Sequence, residues 1–306
     1  MKKLLVVLFL GLMVLSGCQK KEEVVNNSYY YSFTDSLGNE VVLEKKPERV
    51  AVLFSSYAEI WTLAKGEVVA TVGDSVTRGF VKEGVELVND GAGLKIDNEK
   101  LIASNPDFLI VTADLSAQVE AYNMLKDMGV PCAAFREENI DDYLSILKIF
   151  TDINECPEVY EEYGVKVKEE ADKIISDNKG DGPSYLFIRA GSAFNSTRAK
   201  TAEDHFACVM IDELGAKNIV EPGNLLTDEL SLEEIVNKDP DIILIVCQGK
   251  GNDSQLYMES LLKEDGWKDL KAVLNNNYYF VEKDLFNYKP NQKWAAAYKA
   301  LADILY

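Results

Sequence analysis

The chain alternates short apolar runs with longer segments in which apolar residues recur every three or four positions. The runs FLIV at 108–111 and IILIV at 242–246 are apolar throughout, so both faces of these strands should be covered. Such alternation is typical of βα units and parallel sheets. Eight strands are predicted, at Arg49–Phe54, Val68–Gly73, Asp107–Thr112, Pro131–Arg136, Ser184–Arg189, Lys217–Val220, Asp241–Cys247 and Tyr278–Glu282.

One long helix is predicted at 157–178, between the fourth and fifth of these strands. Pro157 suits a first helical turn, and the glutamates that follow it suit the positive end of the helix dipole. An apolar stripe at helical spacing is formed by Val159, Tyr163, Val167, Ala171 and Ile174. The sequence KGDGP then breaks the pattern, so this helix should join two α/β halves.

The two halves contain the same unit of sequence. Residues 99–107 read EKLIASNPD, residues 233–241 read EEIVNKDPD, and a branched apolar run follows each. Because proline cannot continue a helix, a short helix should end there and a buried strand should begin. The predicted fold class is α/β, with two similar parallel-sheet lobes and a bridging helix between them. The predicted bounds are 31–154 for the N-terminal lobe, 155–180 for the bridging helix and 181–306 for the C-terminal lobe.

The first residues predict export. Two lysines precede the apolar run 4–15, which is short for a membrane-spanning helix of about 20 residues and suits a signal peptide. The sequence LSGC that ends at Cys18 resembles a bacterial lipobox, which implies cleavage before Cys18 and its lipidation. We therefore expect a signal peptide at 1–17 and a lipidated tether at 18–30. A signal peptide with an incidental cysteine is the alternative.

The chain is strongly acidic. Its formal charge is −19, and loss of the two lysines of the signal peptide would change this to −21 for the remaining 289 residues. Such a surface is poorly suited to nucleic acid or anionic lipid, so we expect no nucleic-acid partner and a membrane contact made by acyl chains. This length gives room for two domains with their own cores.

Four cysteines follow Cys18, without CxxC or zinc-type spacing. Cys132, Cys208 and Cys247 lie inside apolar runs, where a free cysteine acts as a small buried hydrophobe, and they are predicted to be core thiols. A disulfide among these and Cys156 is compatible with an extracytoplasmic location, but the sequence does not require one.

The order of motifs resembles that of the bacterial substrate-binding lipoproteins that serve ABC importers of iron complexes and vitamin B12. The resemblance rests on the pattern D-x-x-G-x-x-V-x-L-x-x-x-P-x-R-V from Asp35 to Val50, on the two Pro-Asp units and on the final helix PNQKWAAAYKALADILY. It covers nearly all of the mature chain. It implies two α/β lobes, one rigid bridging helix and a ligand cleft between the lobes, where ligands of parallel sheets generally bind.

The resemblance also implies a function. A monomeric binding protein without enzymatic activity or cofactor would capture one metal-chelate ligand and deliver it to a permease dimer driven by a cytoplasmic ATPase. A ferric siderophore or haem is the expected ligand, because a chelator supplies the inner ligands of the metal itself. Cobalamin or another corrinoid, or a small oxyanion such as molybdate, is the alternative.

Arginine is scarce, with five residues against 27 lysines, and four of the five map to predicted strand ends. Arg78 follows the second strand, Arg136 ends the fourth, Arg189 ends the fifth and Arg198 lies in the loop beyond. The planar guanidinium binds carboxylates and other oxyanions, so Arg78, Arg189 and Arg198 are candidate ligand contacts. Pairing with local acids, such as Glu137 beside Arg136, is the alternative role.

The polar segment 189–206 adds the candidates Phe194, Lys200 and His205, and its counterpart in the resembling family lines the pocket. His205 is the one histidine of the sequence, and it is a candidate to coordinate haem or another metal centre or to hydrogen-bond a ligand oxygen. A helix-start histidine bonded to the backbone is the alternative. No residue is expected to bind a bare metal ion directly, because receptors for zinc or manganese need several histidines.

Ser56 and Tyr57 are the candidates from the N-terminal half. Both follow the first predicted strand at a helix start, where free amides and hydroxyls suit anions. Tyr57 is predicted either to stack on a ligand ring or coordinate haem iron, or to be a core aromatic.

An esterase is the remote alternative function. The sequence VVATVGDSVTRG at 68–79 resembles the nucleophile turn of GDS-type esterases, with Ser75 as the nucleophile. Such enzymes need a catalytic histidine, generally in a late D-x-x-H. The residue three before His205 is Ala202, so the sequence does not supply this motif.

Glu99 and Glu233 occupy the same position in the two copies of the duplicated unit. In the resembling family, one exposed acid near the top of each lobe docks onto basic residues of the permease dimer, and these two glutamates match. Two related lobes that contact two related subunits need one acid each. Stabilisation of the helix dipole is the alternative role, and Asp97 and Glu234 are neighbouring candidates for either role.

Overall fold

The computed structural model describes residues 29–178, 180–221, 231–249 and 251–306. The predicted signal peptide, Cys18 and most of the predicted tether therefore lie outside the described residues. Among the residues that are described, no helix is both long enough and apolar enough to cross a membrane.

The strands form one hairpin and two larger sheets. They are β1 Tyr31–Thr34, β2 Glu40–Leu43, β3 Val50–Val52, β4 Val68–Val72, β5 Glu86–Asn89, β6 Phe108–Thr112, β7 Cys132–Phe135, β8 Ser184–Ala190, β9 Arg198–Ala199, β10 Lys217–Asn218, β11 Ile242–Cys247 and β12 Tyr278–Val281.

Helices alternate with these strands along the chain. The α-helices are α1 Ser55–Leu63, α2 Gly73–Thr77, α3 Asn98–Ala103, α4 Ser116–Asp127, α5 Ile140–Ile153, α6 Pro157–Tyr160, α7 Lys166–Asn178, α8 Phe206–Glu213, α9 Leu232–Lys238, α10 Asp253–Leu261, α11 Lys271–Leu274, α12 Lys283–Phe286 and α13 Trp294–Leu305. Short 3-10 helices lie at Phe194–Ser196 and Asn291–Lys293.

Each half of the chain contains one predominantly parallel sheet. The first sheet has the order β5-β4-β3-β6-β7 and is parallel throughout. The second has the order β10-β8-β11-β12, also parallel, and β9 pairs antiparallel with β8. All eight predicted strands are present, although β10 ends at Asn218 rather than at Val220. We call the first sheet with its helices the N-lobe and the second the C-lobe.

The hairpin β1–β2 and strand β5 were not predicted. The segment between β4 and α3 contains the short helix α2 and the edge strand β5. The hairpin explains the opening D-x-x-G pattern. The Asp35 carboxylate accepts hydrogen bonds from the backbone N–H groups of Leu37 and Asn39, and Gly38 adopts a φ of +80°, which glycine tolerates without strain. The same carboxylate also accepts a bond from Ala134 in β7, so the turn is anchored to the sheet.

The predicted bridging helix is present, but it is not a uniform α-helix. Between α6 and α7 the residues Glu161–Val165 form a π-helical turn. Inside this turn the backbone oxygen of Tyr163 accepts a hydrogen bond of 2.8 Å from the Tyr143 hydroxyl of α5. Such wide turns arise where a side chain takes over a backbone group of the helix. The bridging helix is therefore bonded to the N-lobe, while α7 packs along α13 of the C-lobe.

The duplicated unit has the same local geometry in both lobes. Asn105 and Asp239, which are equivalent in the two copies, both have left-handed backbones, with φ of 48° and 40°. Each ends its short helix, α3 or α9, just before a buried proline. Asparagine and aspartate tolerate this conformation better than most residues, so the sequence of the turn fits its geometry.

The two aspartates of the unit tie neighbouring strands together. The Asp107 carboxylate accepts backbone hydrogen bonds from Glu48 and Arg49, which lead into β3. The Asp241 carboxylate accepts bonds of 2.9 and 2.6 Å from the backbone and hydroxyl of Ser184, where β8 begins. Hydrogen bonds from Lys271 and Ser184 lower the pKa of Asp241 to about 2. In each copy, the aspartate therefore links the amino-terminal ends of two neighbouring strands.

One apolar core runs through both lobes. It joins inward-facing residues of both sheets to the bridging helix and to α13. Ala171 of α7 and Trp294 of α13 are completely buried in this core. Two smaller clusters cover the opposite faces of the sheets. Since burial of apolar area is the main favourable term in folding, this shared core holds the lobes at a fixed distance.

Two carboxyl groups are buried where the lobes meet. The Glu59 carboxylate of α1 accepts hydrogen bonds from Asn291 at 2.6 Å and Gln292 at 2.9 Å, which lie just before α13. Burial raises the pKa of Glu59, and its hydrogen bond from Asn291 and the nearby Arg78 oppose this change.

Glu137 is the second of these groups, and it lies just after β7. Its side chain is completely buried, and neither carboxyl oxygen accepts a hydrogen bond from the described residues. Burial raises its pKa from 4.5 to about 8, although the ammonium group of Lys289 acts in the opposite direction. Lys289 also donates a hydrogen bond to the backbone oxygen of Glu137, so a residue of the C-lobe is bonded to the N-lobe here.

Replacement of Glu137 by glutamine should stabilise the protein at neutral and alkaline pH. The folded state binds the Glu137 proton more tightly than the unfolded state does, so the wild type loses stability as pH rises from about 4.5 to about 8. At about 1.4 kcal/mol per pKa unit, the loss at pH 7 is about 3 kcal/mol. Glutamine cannot ionise, so thermal unfolding of Glu137→Gln should show a flatter decline in Tm with pH.

The adjacent Glu138 provides the matched control, because its side chain is 66% exposed. Glu138→Gln should have the same Tm profile as the wild type. A Glu137→Gln profile parallel to that of the wild type from acid to alkaline pH would contradict the proposed burial of this carboxyl group.

Candidate functional site

A cavity of about 420 Å³ lies between the lobes, and we call it the central cavity. This volume is within the usual range for small-molecule sites. The N-lobe contributes residues that follow β3, β6 and β7, and the C-lobe contributes residues from β8, from the start of α8 and from the segment after α12. The lining comprises Phe54, Thr112, Asp114, Leu115, Glu138, Arg189, Ala202, Glu203, Asp204, His205, Phe206, Val209, Asn287 and Lys289.

A buried glutamine fixes the N-lobe wall of the central cavity. Gln118 of α4 accepts a hydrogen bond of 3.0 Å from the backbone N–H of Thr112, at the end of β6. Its amide nitrogen donates to the backbone oxygen of Leu53, at 2.7 Å, just after β3. The carboxyl ends of two adjacent strands are thus held together. Asp114, which follows Thr112, is paired with Arg136 across 2.7 Å at the cavity rim.

His205 forms part of the C-lobe wall, where it is the N-cap of α8. Its Nδ1 accepts a hydrogen bond of 3.3 Å from the backbone N–H of Ala207. The imidazole lies between two phenyl rings, with its centroid 4.8 Å from that of Phe187 and 5.0 Å from that of Phe206. Burial and the positive charge of nearby Arg189 lower its pKa well below the usual value, so the ring is neutral.

The N-cap hydrogen bond determines what His205 can offer a ligand. A neutral imidazole that accepts at Nδ1 carries its proton on Nε2, which is then a hydrogen-bond donor. Coordination of haem iron by Nε2 would require the proton to move to Nδ1 and the N-cap bond to be lost. The observed geometry therefore matches the backbone-bonded alternative and favours donation to a ligand oxygen.

Two cations reach the central cavity from the C-lobe. Arg189 of β8 donates through Nε to the Asn287 side-chain oxygen at 3.2 Å, and burial lowers its pKa. The Lys289 ammonium lies 4.9 Å from the ring centroid of Phe206. Asn287 and Lys289 were not predicted as site residues, although the polar sequence NYKPNQK at 287–293, which directly follows α12, is a signal that could have identified them.

A second inter-lobe cavity, of about 430 Å³, lies on the other side of Lys289, and we call it the side cavity. Arg78 projects into it between the rings of Phe80 and Tyr288, with its guanidinium carbon 4.6 and 4.0 Å from their centroids. Arg78 also donates to the Ser55 hydroxyl at 2.9 Å. The remaining lining residues are Glu59, Thr77, Lys283, Asp284, Pro290 and Lys293.

The two cavities differ in charge. The central cavity contains the acids Asp114, Glu138, Glu203 and Asp204 beside Arg189 and Lys289, and Asp204 is neutralised by Lys200 at 2.7 Å. The side cavity contains Arg78, Lys283, Lys289 and Lys293 against Glu59 and Asp284. The side cavity and the shared Lys289 are therefore the more favourable places for negative charge.

Three of the sequence-predicted ligand residues line these cavities. Arg189 and His205 line the central cavity, and Arg78 lines the side cavity. Ser56 and Tyr57 do not, because both side chains are buried in the N-lobe. The Tyr57 ring packs 5.0 Å from Phe54 in the shared core, which matches the core-aromatic alternative and not a contact with ligand.

The other three predicted ligand residues lie outside both cavities. Phe194 is half exposed on the 3-10 helix, and the Arg198 guanidinium donates to the backbone oxygens of Phe194 and Thr197. Lys200 is held by Asp204. Arg198 pairs with Arg189 in the antiparallel β8–β9 ladder, near the carboxyl end of β8, but neither cavity is lined by Phe194, Arg198 or Lys200.

The remaining candidates are at separate positions. Glu99 and Glu233 are exposed in the first turns of α3 and α9.

Ser75 is completely buried and its hydroxyl accepts a hydrogen bond of 2.8 Å from Thr71, so it is not accessible as a nucleophile. Cys132, Cys156 and Cys208 are buried free thiols, and Cys247 is a half-buried free thiol. Within the described ranges, no group of three or more His, Cys, Asp or Glu residues could hold a metal ion.

Comparison with curated proteins finds relatives that match along most of the chain. An uncharacterized ABC transporter substrate-binding lipoprotein of Bacillus subtilis, YvrC, is 25% identical over 300 residues, which cover 91% of this chain and 88% of that protein. A vitamin B12-binding protein of Vibrio campbellii is 20% identical over 205 residues, 66% of this chain and 69% of that protein.

Solved structures share the fold. The catecholate-siderophore binding protein VctP of Vibrio cholerae matches with a TM-score of 0.70 and 17% identity, over 90% of this chain and 98% of its own. The haem-binding protein RhuT of Roseiflexus sp. RS-1 matches with a TM-score of 0.69 and 18% identity, over 84% and 97%. At such identities the likeness shows the α/β architecture, which agrees with the predicted fold class.

A match to a protein-family sequence model adds evidence of common descent to this similarity of fold. The model described as periplasmic binding protein matches residues 50–285, which include both sheets and the bridging helix. This match confirms the predicted family, and the substrate-binding lipoproteins among its relatives agree with it. The chain belongs to the periplasmic binding protein family.

Proposed function

We propose that this protein is the extracytoplasmic substrate-binding component of an ABC importer and captures an iron complex, either a ferric siderophore or haem. The observation that carries the proposal is the pair of cavities between the lobes, to which both sheets contribute the residues at their strand ends. Ligands of parallel sheets bind at this position, and pockets form preferentially between domains. The buried Ser75 and the names of the relatives support a binding protein rather than an enzyme.

The side chains of the cavities support an anionic, partly aromatic ligand. Arg189 and Lys289 supply charged donors, His205 supplies a neutral donor, and Phe206 and Tyr288 supply ring faces. A chelated metal suits this set, because the chelator provides the inner ligands and the protein provides outer contacts. Cobalamin, or an oxyanion such as molybdate, is the second candidate, and the vitamin B12-binding relative favours cobalamin.

A thermal-shift screen against haem, cobalamin, catecholate and hydroxamate ferric siderophores and molybdate tests the ligand class. One ferric siderophore or haem should raise Tm by mass action, and haem would also give a Soret band. Arg189→Gln and Lys289→Gln should each weaken binding of that compound by at least about tenfold, because each removes a charged hydrogen-bond donor.

Arg198→Gln is the matched control for these substitutions. It removes an arginine of the same lobe that lies outside both cavities, so it should leave the affinity unchanged. A Tm response to molybdate or cobalamin alone would replace the proposed ligand class. Equal affinities for the wild type and both cavity variants would refute the proposed site.

We also propose that the protein acts as a lipid-anchored monomer. The sequence LSGC at 15–18 supports lipidation of Cys18, and the predicted signal peptide at 1–17 and most of the predicted tether at 18–30 lie before the described residues. The Bacillus subtilis relative is itself named a lipoprotein. A single chain of this kind presents both lobes to the permease at once, so no second copy is needed for docking.

The proposed docking residues are Glu99 and Glu233, which would contact basic residues of the two permease subunits. Both glutamates are exposed and lie at equivalent positions of the duplicated unit. Among the described residues, neither has an ion-pair partner that would compete with docking. Charged pairs of this kind set orientation and association rate more than they set affinity.

Simultaneous replacement of Glu99 and Glu233 by alanine should abolish uptake of the ligand and leave its affinity for the purified protein unchanged. Uptake is measured as ligand accumulation by cells that depend on this chain, and affinity by titration. Glu120→Ala combined with Glu264→Ala removes two other exposed acids and should transport normally. Normal uptake by the Glu99/Glu233 variant would exclude the docking role.

A further inference from the structure

The two proposed docking helices share a second feature besides their glutamates. Three residues after Glu99, α3 carries Ile102, whose side chain is 41% exposed. Three residues after Glu233, α9 carries Val236, which is 43% exposed. Residues three apart on a helix are neighbours on its surface. Each lobe therefore presents one carboxylate and one branched apolar side chain on the same helix face.

Packing within the lobe does not explain why Ile102 and Val236 are apolar. In each helix the core contact is made by the preceding residue, Leu101 or Ile235, and both of these are completely buried. Single exposed apolar residues are common on protein surfaces, so one alone would carry little weight. The same class of residue with the same exposure at equivalent positions of two copies is a stronger observation.

Other surface positions of the two copies have diverged in chemical type. The residue after the glutamate is Lys100 in one copy and Glu234 in the other, and Ala103 corresponds to Asn237. The two helices have therefore accepted different residues, yet they agree in the acid and in the exposed branched residue. A contact made in the same way by both lobes explains this agreement.

We propose that Ile102 and Val236 are the apolar contacts of a two-point docking surface, each inserting beside the adjacent glutamate into an apolar recess of one permease subunit. The inference rests on the proposed function, which supplies the permease dimer as the partner. The partner surface should present a basic residue next to a small apolar recess, once in each of two related subunits. A second copy of this chain or an anionic lipid surface fits less well, because the glutamates would face like charge.

The test measures binding of the mature protein, without its lipid, to the purified permease–ATPase complex in nanodiscs. Binding is measured at about 50 and about 500 mM NaCl. Ile102→Ser combined with Val236→Ser should weaken binding roughly tenfold at both salt concentrations. Covering the exposed two fifths of each branched side chain corresponds to about a threefold change in Kd per site. Because the free energies of separate sites add, the two changes multiply to roughly tenfold.

Three further variants make the result specific. Glu99→Gln combined with Glu233→Gln should weaken binding strongly at low salt and little at high salt, since screening already removes most of that attraction. The exchange Ile102→Val with Val236→Ile should bind like the wild type. Met128→Ser combined with Leu256→Ser removes two apolar residues elsewhere on the surface that are more exposed, at 56% and 61%, and should also bind like the wild type.

The outcomes separate this inference from the docking proposal. If the serine pair binds like the wild type while the glutamine pair is weakened, the apolar contact is wrong and the glutamate docking stands. If neither pair is weakened, both are wrong. If the wild type forms dimers that the serine pair abolishes, and binding to the permease is unchanged, the surface joins two copies of this chain and the inference is overturned.

Discussion

The apolar core that runs without interruption from one sheet to the other is the constraint on which the rest of the structure depends. It includes the bridging helix and the final helix, so neither lobe can move far without exposing buried rings such as Trp294. Burial of such side chains stabilises the fold by about 1.5–3 kcal/mol each. Packing of this core therefore sets the distance between the lobes and the size of the cleft.

At the edge of this core, polar side chains form hydrogen bonds between the lobes. Glu59 is bonded to Asn291 and Gln292, and Lys289 donates to the backbone of Glu137, so each contact joins one lobe to the other. Lys289 lines both cavities as well as bridging the lobes. A ligand that attracts this ammonium group would compete with its hydrogen bond to Glu137. Ligand binding would therefore change a contact between the two lobes.

The sequence predicted the scaffold well, because its signals are local. In both copies, a left-handed Asn105 or Asp239 followed by a Pro-Asp pair ends a helix and leads into a strand, and this signal lies within a few residues of sequence. The site was predicted less well, because it depends on long-range packing. Tyr57 looked accessible at a helix start but faces the core, and Lys289 reaches the cleft only because the segment before α13 folds against the N-lobe.

Hydrogen–deuterium exchange of the intact protein, with and without the compound that binds it, tests most directly whether the ligand is held between the lobes. We expect slower exchange in 112–118, where the N-lobe wall lies, in 202–209, where the C-lobe wall lies, and in 287–289 between the two cavities. Protection confined to one lobe, or to surfaces away from both cavities, would contradict it.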